Sequence, residues 1–426
     1  MNSNLLALLL AGAVLGAGEA GVTIAPRDGG GWILQVDGKP FPIRGVGGSS
    51  RLDLLKASGG NAIRTWGIND MEKQVDGKRL IDRAHELGLM VVPGIWIGHE
   101  RHNFRYDDLG MVQKQRQEVV AAVRKWKDHP AVLMWGLGNE MEGVTSATGS
   151  EAVFKEIEEL TKLVKAEDAR HPVMSVIAWN PGKVPSLLQH CPSLDVLGVN
   201  SYGAASGAPE ALKRAGWKKP FAVTEFGVPG PWEVGKTTWG APLEANSTEK
   251  ARAFYATHRM VTELNDGKEL CLGTFAFVWG AKQERTATWF GMFLDSGEKL
   301  PQVDAMIKAW TGAWPANRCP TIERLASPAA SQTVKPGIEM TATLTVKDPE
   351  SDPLRFAWEV AAESTDIKTG GDAESRPKSF PELILAGTTS ECRFAIPKQP
   401  GAYRLFVTVF DGKSGAATAN FPFRVE

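Results

Sequence analysis

The sequence predicts an α/β protein, a (β/α)8 barrel (TIM barrel) followed by a small all-β, immunoglobulin-like sandwich. Three observations predict it. Eight short apolar runs recur between positions 42 and 279, with helix-like segments between them. The runs are mostly continuous rather than alternating, as expected of strands buried on both faces of a parallel sheet. After Trp314-Pro315 the text becomes β-like (TATLTVKD, RFAWEV, ECRFAI, YRLFVTVFD, ATANFPFRV), with turn residues at short intervals, which reads as an antiparallel sandwich. A doubly wound open sheet is the rival, but no G-x-G-x-x-G follows the first strand and there is no P-loop.

In chain order, residues 5–17 (LLALLLAGAVLGA) form an apolar run too short to span a bilayer. Gly18 and Ala20 fit the −3 and −1 positions of a signal-peptidase site. Residues 1–20 are therefore expected to be a secretory signal, although Met1-Asn2-Ser3-Asn4 lacks Lys and Arg. The protein is expected to be secreted, periplasmic or on the cell surface, with no membrane association beyond export. The barrel is assigned to residues 21–314 and the sandwich to 315–426.

WILQVDGKPF is a hairpin whose turn is Asp37-Gly38. Barrel strands follow at 42–46, 62–66, 90–97, 132–137, 173–178, 196–200, 221–225 and 272–279. Helical faces are written by Leu80, Ile81, Ala84 and Leu87; by Val119, Val120, Val123 and Trp126; by Val153, Ile157, Leu160 and Val164; and by Val303, Met306, Ile307 and Trp310.

Charge bounds the partners. Lys+Arg is 48 and Asp+Glu is 49, a formal net charge of -1, so neither nucleic acid nor an anionic membrane surface is expected. The 14 Trp against 4 Tyr supply either core or a stacking surface. Trp126, Trp135 and Trp310 read as core. None of the four cysteines is in a C-x-x-C pair, and an even number suits an exported protein. Cys319 and Cys392 are the pair expected to bridge within the sandwich, with Cys191 and Cys271 reduced.

The active groups of such a barrel sit at the C-terminal ends of its strands. Reading only those ends yields Arg64 and Trp66 on strand two, Trp96 then His99 on strand three, Asn139 and Glu140 on strand four, and Trp179 on strand five. Strands six, seven and eight end in Tyr202, Glu225 and Trp279, with Gln283 and Trp289 in the last loop. Glu140 and Glu225 stand alone at the ends of apolar strands, where a carboxylate carries a desolvation cost and no packing benefit. Glycoside cleavage needs two such groups, one to protonate the leaving oxygen and one to attack the anomeric carbon. Arg64 can hold Glu225 ionised, Asn139 can bind a sugar hydroxyl, Tyr202 can donate to Glu225, and Trp279 offers a flat face to a pyranose. Trp66, Trp96, His99, Trp179, Gln283 and Trp289 are the remaining candidate sugar contacts. His99 and His102 form an H-x-x-H on a loop, read as substrate or loop contacts. No metal and no cofactor is expected.

Arg64, Asn139-Glu140 within LGNE, Tyr202, Glu225 within TEFG, and Trp279, in that strand order, resemble the clan of retaining TIM-barrel glycosidases. The clan includes glycoside hydrolase family 2 barrels, family 5 and the β-1,3-glucanosyltransferases. The resemblance covers about residues 30–312 and implies that Glu140 is the general acid/base and Glu225 the nucleophile. Family 2 exo-enzymes carry two further domains ahead of the barrel, and only a short mature stretch precedes the hairpin here. The expectation is therefore a compact barrel hydrolysing or transferring a polysaccharide, a β-glucan foremost. The alternative is an inactive glycan-binding or cell-surface scaffold, against which both glutamates stand.

The stretch Asp348-Pro349-Glu350-Ser351-Asp352-Pro353-Leu354 with Trp358 and VTVFDGK resembles PKD or cadherin-like sandwiches. Its acidic residues read as an ordinary turn or as a Ca²⁺ site. Because no candidate catalytic residue lies beyond Trp289, a chain ending near Trp314 is expected to retain turnover on small substrates.

Overall fold

The computed structural model describes residues 21–143 and 146–426, so the expected signal segment lies outside the described residues. Among these, no helix is long and apolar enough to cross a membrane.

Eight parallel strands close a barrel. They are β1 (Ile43–Gly47), β2 (Ala62–Arg64), β3 (Met90–Val92, continued by Gly94–Ile95), β4 (Trp135–Leu137), β5 (Val173–Ala178), β6 (Val196–Asn200), β7 (Phe221–Phe226) and β8 (Cys271–Ala276). Each pairs with its neighbour in order, and β8 returns to β1 through Gly273↔Ile43. The seam lies in β3. Met90–Val92 pairs with β2, Gly94–Ile95 with β4, and Pro93, which has no N–H to donate, lies between them. β4 is shorter than its apolar run because Val132 makes only an isolated bridge to Val91.

One helix follows each strand: α1 (Leu52–Ala57), α2 (Leu80–Glu86), α3 (Leu109–Trp126), α4 (Glu151–Glu167), α5 (Val184–His190), α6 (Ala208–Arg214), α7 (Ser247–Arg259) and α8 (Pro301–Thr311). The four periodic stretches of the sequence lie in α2, α3, α4 and α8. The hairpin turn at Asp37-Gly38 has φ of 51° and 72°, the left-handed pair that a tight two-residue turn needs. A strand not foreseen, Val22–Pro26, pairs with Trp32–Val36 to complete a three-stranded sheet. Val22 and Leu34 of that sheet pack on Ile43, Leu133, Met174, Val196 and Leu272, which lie at or near the N-terminal ends of barrel strands. The barrel's floor is thereby sealed and its C-terminal mouth is left for chemistry.

Beyond α8, two four-stranded sheets face each other. One contains Thr321–Ala326, Glu339–Lys347, Glu391–Ala395 and Ile384–Ala386; the other contains Thr333–Val334, Ala416–Val425, Gly401–Phe410 and Arg355–Ala362. Trp358, Phe394, Leu405, Val407 and Phe423 lie in the core between them. Along Glu339–Lys347 burial alternates, the pattern of a strand with one face in solvent.

The sandwich is tied to the barrel by buried polar groups. Arg404 donates to Pro242 O at 2.9 Å and pairs with Glu363 at 2.9 Å. Asn420 Nδ2 donates to Glu244 Oε2 at 2.8 Å, and Glu244 pairs at 2.5 Å with Lys250 of α7. Backbone N–H groups of Thr418 and Ile322 donate to Ser247 and Thr248 at the start of α7. A chain ending near Trp314 would leave the partners of this seam on the barrel side unpaired, which is expected to lower its stability.

One expectation is corrected here. All four cysteines are free. Along the strand Glu339–Lys347, Cys392 faces Ala342 and Thr321, two residues after Cys319, faces Lys347. At ~3.3 Å per residue the two sulfurs are held well beyond bridging reach, on opposite sides of one strand. The acidic stretch is a turn. Asp348 Oδ1 accepts from the backbone of Glu350 and Asp352, Glu350 pairs with Arg318, and Asp352 pairs with Lys413. No cluster of His, Cys, Asp or Glu able to hold a metal occurs among the described residues.

Candidate active site

The residues read from the strand ends meet at the mouth. Glu225, next to last in β7, accepts three hydrogen bonds: from Arg64 Nη1 at 3.0 Å, from Trp66 Nε1 at 3.0 Å and from the Tyr202 hydroxyl at 2.8 Å. Arg64 is 2% exposed and its other arm donates to Asn139 Oδ1 at 2.6 Å. Asn200, at the end of β6, donates from Nδ2 to Asn139 Oδ1 and to Glu140 Oε1, both at 3.0 Å, and its own oxygen accepts from Thr224 at 2.8 Å. Tyr202, Glu225, Arg64, Asn139, Asn200 and Glu140 are thus one hydrogen-bonded chain with a carboxylate near each end.

The backbone explains the LGNE motif. Gly138 has φ of 68°, and a Cβ there would meet Met141 Sδ at 2.0 Å. Glu140 is itself left-handed at φ 55°, a conformation that costs a non-glycine residue about 1 kcal/mol or more and clusters at functional sites. The turn carries Glu140 away from the strand direction and into the mouth. Burial, and then the charge of Glu225, push the Glu140 carboxyl up to about 8. Burial and the same two carboxylates push the Tyr202 hydroxyl well above its ordinary range, so it stays a donor. Asn139 uses only Oδ1 toward the protein; among the described residues nothing accepts from its amide N–H groups, which remain for a ligand.

The other candidates divide. Trp66 grips Glu225 through its indole N–H instead of offering only a face. Trp96 is 43% exposed and stacks on His99, centroids 4.7 Å apart. His99 is buried and its pKa falls to about 4, from desolvation and then the charge of Arg101. Trp179 is half-buried beyond β5. Trp279 and Trp289 are each 1% exposed; the first packs edge-on to Phe293 and the second donates to Pro229 O. Neither has an open face, which corrects their reading as sugar platforms: the chain after β8 folds back through Phe290–Phe293 and buries both. Gln283 lines a cavity of about 380 Å³ between the last barrel loop and the sandwich, with Arg285, Thr286, Ser364 and Arg404, rather than meeting the carboxylates.

Sequence reading passed over three participants. Asn200 was visible at the end of a predicted strand beside Tyr202. Trp232 follows β7 in Pro229-Gly230-Pro231-Trp232; it is 59% exposed and edge-on to Tyr202 at 5.7 Å. Glu284 is paired with Lys282 at 2.9 Å and its carboxyl is raised by burial, with Glu374 and Glu225 adding to the rise.

This geometry has a counterpart among known families. Residues 50–229 match the model of glycosyl hydrolases family 2, TIM barrel domain. It is one of the three families that the resemblance named. No curated protein matches the chain. Among solved structures, the chain is similar to a Bacteroides uniformis β-glucuronidase (TM-score 0.52, 14% identity, covering 95% of this chain and 48% of that one). It is similar to an Eisenbergiella tayi family 2 β-galacturonidase bound to galacturonate (0.51, 16%, covering 69% and 54%). A Bifidobacterium dentium β-glucuronidase complexed with coumarin-3-O-glucuronide is also similar (0.52, 15%, covering 68% and 49%). The chain spans about half the length of these structures, and at such identities the likeness is one of fold.

Proposed function

We propose that the chain is a retaining β-glycosidase acting on an oligo- or polysaccharide by double displacement, with Glu225 as nucleophile and Glu140 as general acid/base. The observation that carries the reading is the contrast between the two carboxylates. Three donors surround Glu225 as they would a carboxylate, whereas Glu140 is held protonated up to about 8. A protonated carboxyl beside one ringed by hydrogen-bond donors is the pattern of an acid beside a nucleophile.

The steps follow. A Glu225 oxygen attacks the anomeric carbon as Glu140 gives its proton to the departing oxygen, leaving a glycosyl ester on Glu225 and a carboxylate at Glu140. Esterification removes the negative charge that had raised Glu140, so its carboxylate persists and can act as base. It then takes a proton from water, or from a second sugar, whose oxygen attacks the anomeric carbon and restores Glu225. Arg64, Trp66 and Tyr202 keep the carboxylate of Glu225 aimed throughout. Asn139 donates to a ring hydroxyl, and Trp96 and Trp232 give the mouth its exposed aromatic faces.

A β-glucan is one candidate substrate, suited to the exposed aromatic faces of Trp96 and Trp232. The solved neighbours are named for uronic-acid glycosides, so p-nitrophenyl β-glucuronide and β-galacturonide belong in the test panel beside neutral aryl β-glycosides and glucans. Export is part of the proposal and rests on residues 1–20 alone.

Azide rescue tests the roles. Glu140→Ala should accept an activated aryl glycoside and stall, and azide should release a product of the substrate's own anomeric configuration. Glu225→Gly should be inactive, and azide should release the inverted anomer. The same anomer from both variants, or turnover by Glu225→Gly without azide, would refute the assignment.

A further inference from the structure

The segment 363–379 leaves the sandwich after the strand Arg355–Ala362 and returns to it, its base closed where Ala362 N donates to Lys378 O at 2.9 Å. In the structure it is braced from within: Lys368 N donates to Glu374 at 3.1 Å and Ser375 N to Asp366 at 2.9 Å. Its tip rests on two loops of the barrel mouth. Toward the loop after β3, Asp372 meets His102 Nε2 at 3.1 Å and Arg101 at 3.5 Å. Toward the loop after β8, Gly371 O accepts from Lys282 Nζ at 2.9 Å, and Glu374 accepts from the backbone N–H of Arg285 at 2.7 Å. Lys282 pairs with Glu284, whose carboxyl feels the charge of Glu225 and whose own charge adds to the rise at Tyr202.

The β3 side carries the more telling feature. The rings of Trp96, His99 and His102 form one aromatic stack. Trp96 lies 4.7 Å from His99 at 26° and 6.3 Å from His102 at 20°. Trp96 is exposed, whereas His99 is 2% exposed. Arg101 can only donate, so its 2.6 Å contact makes His99 Nδ1 the acceptor and puts the ring proton on Nε2. That buried N–H has only the backbone carbonyl of Asn139 near it, short of a well-formed hydrogen bond, and a ligand acceptor would complete its bonding. An open aromatic surface beside an under-used polar group is what a sugar site presents. β3 pairs directly with β4, the strand that ends at Glu140, so the stack lies on the acid's side of the cleft, where the leaving group departs.

We propose that the sandwich segment 363–379 forms a wall of the sugar-binding cleft, and that Asp372, by holding His102 and Arg101, is the positioning residue for a Trp96–His99–His102 platform that receives the leaving-group sugar. The inference rests on the double-displacement reading and assigns the sandwich a part in substrate selection.

The test compares two substrates of the same glycone in the full-length chain. One is a β-linked disaccharide, whose leaving group is a sugar; the other is the α-glycosyl fluoride's β counterpart, the β-glycosyl fluoride, whose leaving group needs no platform. Glucosyl, galactosyl and glucuronyl series are used. Asp372→Ala, and a chain in which residues 366–374 are replaced by a short Gly-Ser turn, should lose kcat/KM on the disaccharide about tenfold more than on the fluoride, the discrimination that ~1.4 kcal/mol of leaving-group binding produces. Asp372→Glu should recover part of the difference. Equal changes on the two substrates, including no change on either, would overturn the proposal while leaving the glycosidase reading intact. Failure of the unaltered protein on every disaccharide and fluoride would remove the glycosidase reading and this one with it.

Discussion

Glu140→Gln separates catalysis from stability and tests the electrostatics of the site directly. In the folded protein the Glu140 carboxyl titrates near 8 instead of its ordinary 4.5, so the folded state holds the proton more tightly than the unfolded chain. The stability associated with this group is complete below about 4.5 and is lost as pH rises through 8. The interval between the two values sets a ceiling of about 5 kcal/mol at high pH. Glu140 is only half-buried, and water in the open mouth reduces this to ~2 kcal/mol. Gln keeps the oxygen that accepts from Asn200 and carries no charge at any pH. The variant should match the wild type in thermal or urea unfolding at pH 4.5 and exceed it by about 2 kcal/mol at pH 8.5, a few degrees in Tm for a chain of this size. Its turnover of glycosides with poor leaving groups should be abolished. A variant no more stable than wild type at pH 8.5, or equally stabilised at both pH values, would refute the burial-and-repulsion account of Glu140.

Three other outcomes are expected. Tyr202→Phe removes one of the three donors to Glu225 and should lower kcat/KM by about 10–100-fold, the cost of ~1.5–3 kcal/mol for a hydrogen bond to a charged group; a change under twofold would remove Tyr202 from the site. Trp279→Ala should destabilise the fold by about 3–5 kcal/mol in urea unfolding, as truncation of a buried aromatic does; a stable variant that merely raises KM would restore the sugar-platform reading. Reductant should leave Tm and gel mobility unchanged, because Cys191, Cys319 and Cys392 are buried thiols; a mobility shift would reveal a disulfide.

The barrel was legible because its strands are written as apolar runs whose ends carry isolated polar residues, and that punctuation located Arg64, Asn139, Glu140, Tyr202 and Glu225. What was missed had weaker signals. α7 buries Ser247, Thr248, Lys250 and His258, so no apolar stripe marks it, although Asn246 and Glu249 form a capping box that could have placed its start. α1, α5 and α6 are too short to display a period. Trp279 was misplaced because exposure depends on the chain returning through Phe290–Phe293, a tertiary event. Cys319 and Cys392 looked like partners only while register was unknown. Asp372 sits among glycines and charges that mark a loop without telling what it leans on.

The sealed floor of the barrel has a consequence for how the molecule is made. Val22 and Leu34 are among the first described residues to leave the ribosome, yet their packing partners are drawn from the whole circuit of strands, ending with Leu272. No shorter intermediate can satisfy the hairpin, because its seat is not complete until β8 has joined β1. Contacts of such long sequence separation form late and slowly, and unpaired apolar surface waiting for them is prone to stick to other chains. Synthesis therefore keeps Val22 and Leu34 in reserve, and the last barrel strand to emerge is the one that lets them settle.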